Sequence, residues 1–455
     1  MAQAMRRSMA AAMMTAASAL LVCSDALGDH GASAPPDDDS STVRPEPTDR
    51  SRALMRDRIT ALEAQIAELK HRERDGVIDA ARAAEIRELV QDVLADADAR
   101  ANLLANGVTA GHDGSFFIAD PDGAFRLEFA GQIQVNFFYN HQESDDVDGD
   151  RWGFEQRRTK LKLRGHVGSP AMRYVIGGSF DRGGGSFDIS DVYIERDLTD
   201  ELELRIGRYK IPFSREVIMS SKRQLFADRS LVVKALGLFE RSPGAALTFE
   251  RDRLRLIGAA HDVTGDLSGD EDWLVLARGE VLLDGSWSTL KDFTSFGGDA
   301  PAAMIGAAVL YQHRDTLDDA SDDGDVVRWT ADATLEFGGA NLFAAVFGNH
   351  VDADSGDDRN QFGAVVQGGW FLSNDTELTA RYEWGDPDGE AGELSVLTVG
   401  VNRYIDRHRA KFSLNVGYGF SAIEVFWSSS AAGWRPDAPG ADGQTIVVGQ
   451  VQLLF

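Results

Sequence analysis

Between residues 125 and 139 the odd positions are Phe125, Leu127, Phe129, Gly131, Ile133, Val135, Phe137 and Tyr139. The even ones include Arg126, Glu128, Gln132, Gln134 and Asn136. Successive side chains of a strand point to opposite faces, so this run has one apolar and one polar side. It is far longer than the roughly 5–6 residues of an ordinary strand. Its length suits a tilted strand that crosses a bilayer and continues beyond it. The alternation averages out to an unremarkable composition, with 43% hydrophobic residues, which is how a membrane β-barrel hides from a hydropathy scan.

Extending the same period predicts sixteen strands, near 124–140, 153–167, 171–181, 187–197, 201–211, 243–250, 253–262, 271–283, 302–313, 325–337, 340–349, 360–372, 375–385, 393–405, 410–428 and 443–455. The connections alternate in length. Tight ones fall at Gly168-Pro170, Leu198-Asp200, Arg251-Asp252, Gly338-Gly339, Ser373-Asp375 and Ile405-Ala410, and long ones at 141–152, 212–242, 314–324, 350–359 and 429–442. Short turns on one rim and long loops on the other are the pattern of a sixteen-stranded antiparallel transmembrane β-barrel, an all-β fold. Residues 284–301 break the pattern, being far too long for a tight turn. The last strand closes on Val451, Leu453 and Phe455 on one face, a terminal aromatic like the C-terminal signal of outer-membrane barrels.

The N-terminal quarter is different. Arg6 and Arg7 precede an apolar stretch from Met9 to Cys23 and small residues at Ala26-Leu27-Gly28, so residues 1–28 read as a signal peptide. Residues 29–50, rich in Asp, Pro and Ser, read as a disordered linker. Residues 51–110 read as a periplasmic helical, coiled-coil segment. Ile59, Leu62, Ile66 and Leu69 step by three and four, and Ile86, Leu89 and Val93 repeat the step. The seam, from 51 to 105, is too short to stand alone and calls for a partner helix. It could instead pack on a barrel end, or reach the cell wall as a structural tether. The barrel proper is expected over 115–455.

Several function classes drop out. Lys and Arg number 46 against 73 Asp and Glu, a net charge of −27, so the chain lacks the basic footprint of a nucleic-acid binder. One cysteine excludes a disulfide scaffold or a Cys-based zinc site. The nine histidines form no metal-spaced pair, and no serine sits in a G-x-S-x-G setting. No cofactor, metal or catalytic residue is expected. Acidic clusters at Asp145–Asp150, Asp318–Asp325 and Asp352–Asp358 read as solvated loops, although such oxygens can hold Ca²⁺.

The charge is unevenly spread. Residues 151–255 carry 21 basic against 14 acidic side chains, while residues 256–455 carry 11 against 32. Within the basic stretch Arg158, Lys160, Lys162 and Arg164 share one strand face, about 6.8 Å apart. Facing lipid would cost about 2–4 kcal/mol for each at the midplane, so they are expected to line the lumen. A column of cations in water attracts anions, and Arg173 and Arg205 extend it. The alternative is pairing with Asp181, Asp188, Asp191 or Glu195 on nearby strands. The loop after the fifth strand, about 30 residues long, carries Arg215, Lys222, Arg223 and Arg229 beyond Lys210. Folded inward it would form a constriction.

The barrel resembles the phosphate-selective porin O and P family. The likeness runs through Asp122-Gly123-Ala124-Phe125-Arg126-Leu127, Gly131-Gln132-Ile133-Gln134, Arg157-Arg158-Thr159-Lys160-Leu161-Lys162-Leu163-Arg164-Gly165, Asp191-Val192-Tyr193-Ile194-Glu195, Arg205-Ile206-Gly207-Arg208-Tyr209-Lys210-Ile211-Pro212-Phe213 and Gly400-Val401-Asn402-Arg403-Tyr404. The resemblance implies a homotrimeric channel in the outer membrane of a diderm bacterium, contacting outer-membrane lipid and passing small anions, phosphate or polyphosphate. A general diffusion porin without anion preference, or the structural tether, are the alternatives.

Overall fold

The computed structural model describes residues 60–66, 107–143, 149–182, 185–238, 241–263, 272–314, 324–353, 358–388, 392–437 and 443–455. The chain divides into two compact units, Met1–Ala95 and Asp96–Phe455. In the first, residues 60–66 are helical and leave Leu62 and Ile66 exposed. The signal, the linker and the rest of the helical seam lie outside the described residues.

The second unit opens with a hairpin, β1 (Thr109–His112) and β2 (Phe116–Ala119), and continues through sixteen long strands. These are β3 (Phe125–His141), β4 (Asp150–Val167), β5 (Ser169–Phe180), β6 (Phe187–Asp197), β7 (Leu202–Lys210), β8 (Arg241–Arg251), β9 (Leu254–Asp262), β10 (Trp273–Asp284), β11 (Ala302–Arg314) and β12 (Gly324–Glu336), then β13 (Ala340–Ala353), β14 (Arg359–Ser373), β15 (Thr376–Asp386), β16 (Leu394–Asp406), β17 (Ala410–Gly419) and β18 (Thr445–Leu454). Each pairs antiparallel with the next. β18 returns to β3 with Gln452 opposite Gln134 and Gln450 opposite Asn136. The sheet therefore closes, and no long edge is left open.

All sixteen expected strands are present, and most boundaries agree within two residues. One is too long: β17 stops at Gly419 instead of running to 428. The chain then turns into the barrel and buries Ile423, Trp427 and Trp434 there. The β1–β2 hairpin is a second departure, since helix was expected through residue 110. The pairing of β18 with β3 ends at Gln132. β2 covers the unpaired start of β3, setting Phe116 opposite Phe129 and Ala119 opposite Arg126.

Outside, the wall is apolar, with Trp152, Ile194, Leu247, Val309, Trp370 and Val399 among its exposed side chains. Inside, it is not uniformly polar. Leu274, Leu276, Met304, Leu310, Phe343, Phe347, Val365, Leu394 and Val396 point inward and are buried. All but Met304, which packs with Leu282, Leu290 and Ala302, lie against Phe213, Val217, Leu225, Leu231, Val232, Val233 and Leu236 of segment 211–238, and against Phe293, Trp427 and Trp434. One side of the lumen is therefore a dry core made between wall and inserted loops.

The irregular connection 285–301 is part of that core. It enters from the short-turn rim and places Phe293 on Phe343 with ring centres 4.8 Å apart. The Ser295 hydroxyl and carbonyl accept from the backbone N–H groups of Gly338 and Gly339 at 2.8 and 3.0 Å. Its length is explained by insertion, since a tight turn could not reach the lumen. Phe293→Ala is expected to remove about 3–5 kcal/mol of packing. It should lower the temperature at which the folded barrel band is lost on an electrophoretic shift assay.

Candidate functional site

Segment 211–238 leaves β7 at the long-loop rim and crosses the lumen instead of projecting outward. Its two short helical turns, Arg215–Ile218 and Leu231–Leu236, pack their apolar side chains into the dry core. Polar contacts fix the rest. Glu216 is fully buried and accepts from the Ser230 N–H and hydroxyl at 2.9 and 2.8 Å. Asn415 accepts from the Ala227 N–H at 3.0 Å, and Lys411 donates to the Gln224 carbonyl at 3.0 Å.

Asp228 is the main anchor. Its carboxylate takes Arg157 Nη2 at 2.6 Å, Arg158 Nη2 at 3.2 Å and Lys234 Nζ at 3.4 Å. Burial alone would raise its pKa, but Lys234, Arg158 and Arg157 together hold it well below the usual carboxylate range. Arg157 reaches it because β4 carries a bulge. Gln134 faces Arg158 and Asn136 faces Glu155, so Gln156 and Arg157 both lie opposite Val135.

Beneath this segment an aqueous cavity of about 910 Å³ remains, bounded by the wall from β3 to β8, by the loop and by the inserted turn 285–301. Its lining holds eleven Lys and Arg side chains against five Asp and no Glu, in a chain of net charge −27. Lys160, Lys162 and Arg164 come from β4, Arg205 and Lys210 from β7, Lys222 and Arg223 from the loop. Low-dielectric walls around an excess of one sign of charge focus its field into the cavity.

The family model of phosphate-selective porins O and P matches residues 129–419. The chain belongs to that family. No curated protein matches it by sequence. Among solved structures it is similar to an anion-selective porin from Comamonas acidovorans, at 15% identity and a TM-score of 0.54, covering 73% of this chain and 100% of that one. It is also similar to OmpF of Salmonella typhi in complex with daunomycin, at 13% identity and a TM-score of 0.50, covering 73% and 99%. At such identities these likenesses speak to the fold. Family and fold together make this protein an outer-membrane channel.

In this porin the expected cations separate into three groups. Lys160, Lys162 and Lys222 line the cavity, and none makes a side-chain hydrogen bond or ion pair among those found in the described residues. Arg164 and Arg205 line it while paired. Arg164 holds Glu128 at 2.6 Å, and Arg205 holds Glu195 at 2.6 Å and stacks on Tyr193 and Tyr209. Lys210 lines it too, donating to the carbonyls of Val217 and Met219 at 2.7 and 3.2 Å, and Arg223 donates to the Lys291 carbonyl at 3.3 Å.

The rest lie outside the cavity. Arg158 is buried against Asp228 and Gln134. Arg173 is surrounded by Glu195, Asp197 and Glu203 at 3.4, 2.7 and 2.6 Å. Arg215 donates to the Leu290 carbonyl. Arg229 donates to the carbonyls of Glu216 and Met219 at 2.8 and 2.6 Å. These four hold the architecture together.

Sequence reading missed Arg241 of β8, which lines the cavity and holds Asp191 at 2.7 Å. It also missed Lys291, Arg407 and Arg409 at the short-turn rim. Arg241 carried a signal, since it opens β8 on the inner face, but the loop conceals that register. Asp228→Ala leaves Arg157, Arg158 and Lys234 buried without their counter-charge, a loss of about 3–5 kcal/mol for such a broken pair. The expected outcome is release of the loop, seen as faster proteolysis within 211–238 and noisier single-channel current.

Proposed function

We propose that this porin passes small anions, and that the phosphate class named by its family is the natural cargo. The observation that carries the reading is the trio Lys160, Lys162 and Lys222, cations facing one water-filled cavity without carboxylate partners. A passing oxyanion can take up hydrogen bonds that no protein group occupies. Asp191, which also lines the cavity, makes its ion pair with Arg241 at 2.7 Å and none with the lysines. Short turns face the periplasm and long loops the exterior in such barrels, so the cavity opens toward the periplasmic rim, and the homotrimer implied by the family belongs to this reading.

Two measurements test it. In a salt gradient across a planar bilayer, wild-type channels should give a reversal potential of anion-selective sign. Lys160→Glu with Lys162→Glu should lower the anion-to-cation permeability ratio by about tenfold or more. Tenfold corresponds to only about 1.4 kcal/mol, well within the reach of unit charges a few ångströms from the ion. Cation selectivity in the wild type would overturn the proposal.

The second test uses pH. Burial, and after it the neighbouring cations Arg223, Arg164 and Lys162, lower the Lys222 ammonium to about 8. It is charged below that value and neutral above it. Anion selectivity should therefore decline as the pH rises from 7 to 9, and Lys222→Arg should flatten that decline because a guanidinium keeps its charge.

A further inference from the structure

Several inner-wall glycines in this barrel have neighbours that occupy the missing side chain's place. A Cβ on Gly306 would strike Arg278, one on Gly363 would strike Val232, one on Gly369 would strike Glu377, and one on Gly385 would strike Trp427. Packing therefore accounts for each of them. Gly178 is similar, since a Cβ there would meet the Phe187 ring.

Gly177 is different. Its φ is not in the left-handed region, and a Cβ would meet nothing closer than the Leu161 carbonyl at 3.6 Å, with Asp191 Cβ and Lys162 Cγ at 3.7 Å. Those are ordinary van der Waals contacts, so neither backbone nor packing requires glycine. What Gly177 does face is the cavity. It lies on β5 directly between Lys162 of β4 and Asp191 of β6. There a bulge inserts Ser190, whose hydroxyl donates back to the Gly177 carbonyl at 3.2 Å. The crossing loop supplies Pro212, Ile218 and Ser221 to the same cavity.

We propose that Gly177 sets the bore of the channel. It leaves a recess without a side chain in the wall beside Lys162, so a hydrated oxyanion passes against backbone with a free ammonium alongside. A side chain at 177 would project into that passage and exclude larger anions before smaller ones, without altering the charge of the lining. The inference rests on the channel reading above and adds the determinant of solute size.

The test is single-channel conductance of the full-length protein in planar bilayers, with chloride and then phosphate as the carried anion. Gly177→Leu should lower conductance about twofold or more, phosphate more than chloride, while the reversal potential in a chloride gradient stays at the wild-type value. Gly177→Ala should keep the barrel folded and show a smaller loss of the same kind. Gly177→Cys covers the case in which the leucine variant fails to fold. Cys23 is the chain's one other cysteine, and with Cys23→Ser in place a thiol reagent of graded bulk should reduce current in step with its size. Unchanged conductance in Gly177→Leu, or unchanged current after labelling verified by mass, would overturn the proposal. A wild-type protein that conducts no ions would instead sink the channel reading itself.

Discussion

A porin lumen must hold water, yet loops crossing that lumen have to be held still. This chain meets both demands by making one side of the barrel interior apolar. The inner faces of β10 to β16 present Leu274, Leu310, Phe343, Val365 and Val396, and segment 211–238 lays Phe213, Leu225, Val232 and Leu236 against them. Burial of such side chains contributes about 1.5–3 kcal/mol each, and the contact is made inside a closed wall. The cavity lined by Lys160, Lys162 and Lys222 lies on the opposite side, along β3 to β8.

Charge then follows the partition. At the margin of the dry core, cations are neutralised in fixed pairs. Arg278 lies between Asp332 at 2.8 Å and Glu280 at 2.9 Å, and it also donates to the Phe213 carbonyl, tying wall to loop. Asp228 does the same from the loop side. A buried pair of this kind adds little net stability but strongly penalises any state in which it is broken, which fixes where the loop sits. On the cavity side Lys160, Lys162 and Lys222 make no ion pair among those of the described residues. The same residue types therefore sit in fixed ion pairs or line the cavity according to which side of the loop they occupy.

The lumen is entered by inserted segments from both rims. Segments 211–238 and 420–437 descend from the long-loop side, while 285–301 rises from the other. Arg215 and Arg223 of the first reach the carbonyls of Leu290 and Lys291 on the last. The cavity walls thus belong to elements that brace one another, and its shape does not depend on a single mobile loop.

The period-two pattern by itself determined the barrel, its sixteen strands and the inward direction of Lys160, Lys162 and Arg164, because side-chain parity is a local property of extended backbone. Parity also gave correct facing for Arg158 and Arg173. It could not say that Asp228 and the Glu195–Asp197–Glu203 group would occupy them, since those contacts join residues that are distant in sequence or depend on strand register. The overlong strand at 410–428 and the unexplained segment at 284–301 have one cause. Apolar residues such as Trp427 and Phe293 look alike whether they face lipid or an interior core, and only closure of the sheet creates that interior. Tertiary structure alone decided which side of the lumen is filled by apolar packing, and with it which cations line the cavity.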